Sequence, residues 1–261
     1  MILEALEYLV TPCPRWARTC GYPFETISYH ARYRRNRAAW QPHLDRSKQI
    51  IRNAIDKCES RRTAVIGGSG YGFDLPLDEL ATAFDEVYLL DAIQPWKIRY
   101  AALTRRALKT AHADLTDIAK QTTQGQWPNH LSVPAYFLGH PGVDLVISAN
   151  VISQLAVIPL RQLGRRVNLD PDRSAELQFN LMARHIDWLN SFDAVRVLIG
   201  DHARSETVKG ESTEIAILDG QNLGEPDDRW DWDIAPQGEF MKRKTQINHV
   251  AAWTAIPGEN L

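Results

Sequence analysis

The feature that most constrains this chain is the stretch from Thr63 to Ala92. Thr63-Ala64-Val65-Ile66 is a short apolar strand pattern, and it runs straight into Gly67-Gly68-Ser69-Gly70-Tyr71-Gly72. Glycines there permit a tight turn and let backbone amides come close to a ligand. Leu77, Leu80, Ala81 and Phe84 then fall on one face of a helix. Asp74 is placed to cap that helix, Pro76 suits its first turn, and Asp78 and Glu79 suit its positive end. Val87-Tyr88-Leu89-Leu90 reads as a second buried strand ending on Asp91, 23 residues after Gly68. A carboxylate at roughly 20 residues from the loop is where folds of this kind bind a ribose. Strand, glycine loop, helix, strand and acid together describe a nucleoside-binding βαβ unit.

The pattern continues downstream. A helix is expected from Trp96 to Leu108, then a weak strand over Ala111–Thr116 that contains Asp114 and Leu115. Val143–Ile147 is a strong strand running into Ser148-Ala149-Asn150. Leu177, Leu181, His185, Trp188 and Leu189 mark an amphipathic helix. Ala194–Ile199 is another buried strand, closing on Gly200-Asp201-His202. Glu214–Leu218 and His249–Ile256 read as two further strands, separated by a long acidic loop that holds Asp227, Asp228, Trp230, Asp231, Trp232 and Asp233. Strands alternating with helices imply a parallel sheet covered on both faces. Right-handed crossovers then gather Gly68–Gly72, Asp91, Asp114 and Ser148–Asn150 along one edge, around one crevice.

Residues 1–60 have a different character. They carry an excess of four basic over acidic side chains, whereas the whole chain has a net charge of -2. Pro12, Pro14, Gly21 and Pro23 argue for loops at the start. A helix is expected from Tyr29 through Trp40, and a clearer one presents Ile50, Ile51, Ala54, Ile55 and Cys58. The segment reads as a helical cap or lid, residues 1–60, on a domain of residues 61–261. Its Arg and aromatic cluster at 29–40 is either an acceptor-lining surface or a solvated helix face with its Arg stems laid along it.

The near-neutral balance argues against nucleic acid as the main partner. Cys13, Cys20 and Cys58 form no CxxC pair, so no metal is expected and a reducing cytoplasm is the plain reading. Glu4 and Glu7 give the N-terminus no signal-peptide character. The apolar run Val143–Leu160 is interrupted by Asp144, Asn150 and Gln154 and is too polar to span a bilayer.

Gly68, Gly70 and Gly72 are spaced G-x-G-x-G. A dinucleotide fingerprint would need glycine at Phe73. With Asp91, the Ala113-Asp114-Leu115 step, Ile147-Ser148-Ala149-Asn150 and a closing pair of strands, residues 61–256 resemble the class I S-adenosylmethionine-dependent methyltransferases. The resemblance implies a Rossmann-like, doubly wound, mostly parallel α/β sheet of about seven strands, with the last strand antiparallel. It implies S-adenosyl-L-methionine as cofactor and a site built from Gly67, Gly68, Ser69, Gly70, Asp91, Ala92, Asp114, Leu115, Ser148 and Asn150. In it the loop glycines approach the amino-acid part, Asp91 accepts from both ribose hydroxyls, Asp114 takes the adenine amino group, and Asn150 lies near the sulfonium and the acceptor.

One position departs from that family. Its usual acid two residues before the first loop glycine is Ile66 here, so the cofactor's ammonium group needs another partner, for which Asp74 is the candidate. The Gly67-Gly68-Ser69-Gly70 form also resembles spermidine-synthase-like aminopropyltransferases. A binding or scaffold protein on the same fold, and more weakly a nicotinamide enzyme, complete the alternatives. His140, Asp201, His202 and His249 are candidate bases, His202 the best placed, and none is assigned. A small or medium-sized acceptor is expected, with residues 1–60 and the 219–246 loop as its lid. The oligomeric state is not written in the sequence.

Overall fold

The structure is a computed structural model that describes residues 7–9, 11–239 and 244–261. The expectations for Glu4, and for residues 240–243 of the 219–246 segment, lie outside the described residues. Helix α1 spans Arg15–Cys20, and Gly21 ends it in the left-handed region at φ 84°. Helix α2, Tyr22–Asp56, joins both helices expected near the N-terminus into one element with Pro23 in its first turn. It kinks at Asn36 (φ -111°, ψ 20°) and carries Pro42 inside. The Asn36 amide donates to the Arg32 carbonyl at 3.1 Å, and to Glu239 at 2.8 Å. Proline and side-chain insertion into the helical ladder are both recognised causes of such a bend. Trp40, Leu44, Ile51, Ala54 and Ile55 form the face α2 buries.

Next come β1 (Thr63–Gly67), α3 (Leu77–Ala83), β2 (Glu86–Asp91), α4 (Trp96–Thr104), β3 (Leu108–His112) and α5 (Ala119–Thr123). They are followed by β4 (Val143–Ala149), a 3-10 turn at Ile152–Gln154, α6 (Val157–Gly164), α7 (Pro171–Asn190) and β5 (Val195–Val208). The chain closes with β6 (Glu211–Ala216), β7 (Asp228–Ala235) and β8 (Lys244–Ala255). The sheet order is β3-β2-β1-β4-β5-β8-β7, with β6 paired to β5. Strands β1 to β5 pair in parallel, and β8 lies antiparallel between β5 and β7. This is a Rossmann-like, doubly wound α/β sheet with an antiparallel last strand and an N-terminal helical cap.

Every residue of β1 is buried, as expected of a parallel strand covered on both faces. Ile66, Leu89, Ile147 and Val197 pack on one face with α2, α3 and α4. Val65, Leu90, Val146 and Leu198 pack on the other with α6 and α7. The two-residue alternation of a strand therefore decides which layer each strand-end side chain can reach.

Several boundaries differ from the sequence expectation. Helix α4 stops at Thr104, and β3 occupies Leu108–His112 rather than 111–116. Strand β5 does not close at His202 but runs on to Val208. It turns back through Lys209 and Gly210, both at positive φ, to make the extra strand β6. Such a two-residue turn matches the twist of a hairpin. The segment read as an acidic loop is strand β7, where Trp230 and Trp232 alternate with Asp231 and Asp233. Trp232 is buried in the α2 layer and Asp231 faces out, so the charge run is the solvent face of a strand. Asp74 does not cap α3. The N-cap is Pro76, and no side chain bonds to that end.

Candidate functional site

The strand order reverses at β1, with β2 on one side and β4 on the other. The crevice beyond the carboxyl ends of those strands is the place where open α/β sheets bind ligands. The glycine loop fills its floor. Gly68, Gly70 and Gly72 all have positive φ, at 79°, 46° and 64°. A Cβ on Gly68 would stand 2.6 Å from Val151 Cβ, so this glycine lets the β4 turn approach the loop. A Cβ on Gly70 would meet nothing nearer than the Gly68 carbonyl oxygen at 4.0 Å, so its face is open.

Asp91 is tied to the loop. Its Oδ2 accepts from the Gly70 N–H at 2.8 Å, and its Oδ1 from the Ile93 N–H at 3.2 Å. Burial pushes this carboxyl upward, and the backbone donors of Gly70, Ile93 and Ala92 oppose that. Ala92 is buried beside it, and its carbonyl is bonded by His112 Nδ1 at 3.1 Å. The Asp114 carboxylate is turned into its own loop. Oδ1 accepts from Thr116 N–H at 3.1 Å and Thr116 Oγ1 at 2.6 Å, and Oδ2 accepts from Ala119 N–H at 2.9 Å. A carboxylate offers about four acceptor positions, so one remains. Leu115 is buried next to Gly67, which also faces the Trp188 ring.

The end of β4 divides its two polar residues. Ser148 is fully buried and hydrogen-bonds His185 Nε2 of α7 at 2.8 Å, so its side chain lies in the core on the far face. His185 is held neutral by burial, which pulls it down to about 4. Asn150 is in the left-handed region at φ 53°, a conformation Asn tolerates better than most residues. Its Nδ2 donates to Asp74 Oδ2 at 2.7 Å, which brings Asp74 to the crevice from beyond the glycine loop.

Two tyrosines of α2 lie within electrostatic reach of this edge: Tyr29, part of the 29–40 cluster read from the sequence as a possible acceptor-lining surface, and Tyr22, which the sequence reading did not pick out. Burial and the nearby Asp114 charge raise the Tyr22 phenol well above its ordinary range, and it also feels Cys20 and Asp91. Tyr29 is raised likewise by burial, then by Asp74 and Asp201. Phe73 of the loop stacks on Tyr33 with ring centres 3.8 Å apart, pinning the cap to the loop.

Asp201 was one of four candidate bases. It lies in β5 just before a bulge, and its Oδ2 accepts from Ser153 Oγ at 2.9 Å. Burial pushes its carboxyl up to about 6. His202, the best placed by sequence, is instead in a separate cavity of about 450 Å³ with Glu214, Arg229, Trp230, Asp231 and His249. There His249 is held between Asp231 Oδ1 and Ser205 Oγ, at 2.7 Å from each. His140 sits in an exposed loop, bonded by the Gly142 N–H. A cavity of about 730 Å³ at the opposite end of the sheet is lined by Asp78, Glu86, Arg105 and Lys109, whose charges pair with one another.

Among the described residues, three buried polar atoms at this edge have no hydrogen-bond partner: Ser69 Oγ, Asn150 Oδ1 and Asp201 Oδ1. They stand at the carboxyl ends of β1 and β4 and within β5 just past its parallel part. Buried polar groups are nearly always bonded, so a cluster of exceptions at a ligand edge marks a place for a ligand. Among the described residues no group of three metal-ligating side chains occurs, and no helix is long and apolar enough to cross a membrane. The three cysteines are free thiols.

No protein-family model and no curated protein matches the chain. Among solved structures it is similar to DhpI in complex with SAH, at 15% identity over 90% of this chain and 96% of that one, TM-score 0.34. It is also similar to the 1,6-didemethyltoxoflavin-N1-methyltransferase of Burkholderia thailandensis with bound 1,6-didemethyltoxoflavin and S-adenosylhomocysteine. There the identity is 10% over 88% of this chain and 87% of that one, TM-score 0.41. Likeness at this level carries no argument about chemistry, which rests on the crevice itself.

Proposed function

We propose that this chain is an S-adenosylmethionine-dependent methyltransferase acting on a small or medium-sized acceptor. The observation that carries the reading is the set of unpartnered polar atoms at the strand ends that share an edge with the glycine loop, whose Gly70 face is open and whose Gly70 amide is bonded to the Asp91 carboxylate. The residues present fit the cofactor. Asp91 is a carboxylate only partly committed to the backbone amides beside it, and a charge-assisted acceptor suits a ribose hydroxyl. Asp114 keeps one acceptor position for an exocyclic amine. Bound there, the cofactor would supply an activated methyl group.

The chain's own part is alignment and exclusion of water. Helix α2 closes the crevice from above through Tyr22 and Tyr29, and alignment alone accounts for much of the rate of a simple displacement. Should the acceptor lose a proton, Asp201 is the group on the α2 side able to take it, with its carboxyl near 6 and one oxygen free. Calorimetry with S-adenosylmethionine and S-adenosylhomocysteine tests the reading. Binding that is lost in Asp91→Ala supports it; no heat with either compound overturns it and leaves a binding or scaffold role.

A further inference from the structure

We propose that the Asp74 carboxylate and the Asn150 amide carbonyl together hold the α-ammonium group of the cofactor, in place of the loop acid that Ile66 replaces. This rests on the methyltransferase reading above.

Ile66 is fully buried in the α2 layer, so no β1 side chain at this position offers a cation a charged partner. The sheet order indicates where the ammonium must go instead. Asp114 and Asp91 stand over β3 and β2, so a cofactor whose adenosine lies on them extends its amino-acid part over β1 and β4. That is where Asp74 meets Asn150, one residue before the Val151 that touches Gly68.

The pair is chemically incomplete as it stands. Asp74 is 8% exposed; among the described residues its one side-chain donor is Asn150 Nδ2 and no Lys, Arg or His lies within ion-pair distance, the Lys48 charge acting on it only from farther off. A buried carboxylate without a cation is costly. Because the amide turns its Nδ2 toward the carboxylate, its Oδ1 is left buried and without a donor. The pair thus sets one donorless amide oxygen beside a buried carboxylate that a single side chain donates to. An ammonium group is the complement: three donors, no acceptor and one positive charge. A neutral hydroxyl would supply a single donor and leave the charge uncompensated. Asp74 is free for the task because it has no capping bond to α3.

The experiment compares S-adenosylhomocysteine, which carries the ammonium, with 5′-methylthioadenosine, which keeps the nucleoside and thioether but lacks the amino-acid part. Calorimetry is run on the wild-type chain, Asp74→Asn and Asn150→Ala. The expected result is a loss of at least ten-fold in S-adenosylhomocysteine affinity in both variants, with methylthioadenosine affinity unchanged within two-fold. The unchanged nucleoside affinity also shows that the variants fold. The inference is overturned if S-adenosylhomocysteine affinity is retained in Asp74→Asn, or if both compounds weaken together. Methylthioadenosine binding the wild-type chain as tightly as S-adenosylhomocysteine overturns the inference alone. Failure of both to bind the wild-type chain overturns the methyltransferase reading and the inference with it.

Discussion

The Gly70 amide donates to the Asp91 carboxylate across 2.8 Å, joining the third residue of the glycine loop to the last residue of the neighbouring strand. The bond holds the loop open on the Gly70 side and aims the carboxylate along the strand ends. Asp91→Ala removes both the loop restraint and the ribose acceptor. Hydrogen bonds to a charged group are worth about 1.5–3 kcal/mol each, so the affinity for S-adenosylhomocysteine falls by roughly 100-fold or more. Isothermal titration of the two proteins measures it.

Gly68 and Gly70 predict opposite sensitivities. Alanine at Gly68 is strained by its positive φ and drives its Cβ into Val151, so Gly68→Ala destabilises the fold by about 2 kcal/mol or more. Alanine at Gly70 carries the backbone strain alone and costs about 1 kcal/mol, yet its methyl projects into the open face and weakens nucleoside binding. Denaturant melts and titration of the two variants separate these effects.

Asp201 makes stability depend on pH. Its carboxyl is raised to about 6 in the fold, against about 4 in an unfolded chain. Protonation therefore favours the folded state: the contribution is complete below about pH 4 and is lost as the pH rises through about 6. Asn at this position cannot titrate. The stability of wild type relative to Asp201→Asn should fall by about 2 kcal/mol between pH 4 and pH 7, most of a two-unit shift converted at about 1.36 kcal/mol per unit. Urea denaturation of both proteins at the two pH values gives the difference.

Ser148 tests the boundary of the site. Its hydroxyl is bonded to His185 in the core, and His185 Nδ1 has no partner either. Ser148→Ala leaves the whole imidazole unsatisfied and destabilises the fold by about 1–3 kcal/mol. Its affinity for S-adenosylhomocysteine stays at the wild-type value, because the side chain never reaches the crevice. Thermal melts and titration on one sample check both halves.

Much of the framework was legible in the residues. The strand, glycine loop, helix, strand and acid between Thr63 and Asp91 are set by local pattern, as are Asp114 and Asn150 just past the ends of β3 and β4. Strand β7 was legible too, since Trp230 and Trp232 alternate with Asp231 and Asp233, but the density of charge masked the period of two. Strand β6 has no buried residue, so hydrophobic periodicity had no burial face to report.

The sequence by itself determined the layer order and the positions of the strand-end acids, because those follow from periodicity and from glycine's backbone freedom over short spans. Only the tertiary structure decided which side chains share the crevice. Ser148 turns to α7 while Asn150 turns to Asp74, 76 residues away in the chain. Asp201 comes under Tyr29 while its neighbour His202 is bulged toward His249. Those outcomes depend on strand register, one bulge and the packing of α2 over the sheet, which join residues too far apart for any local pattern to encode.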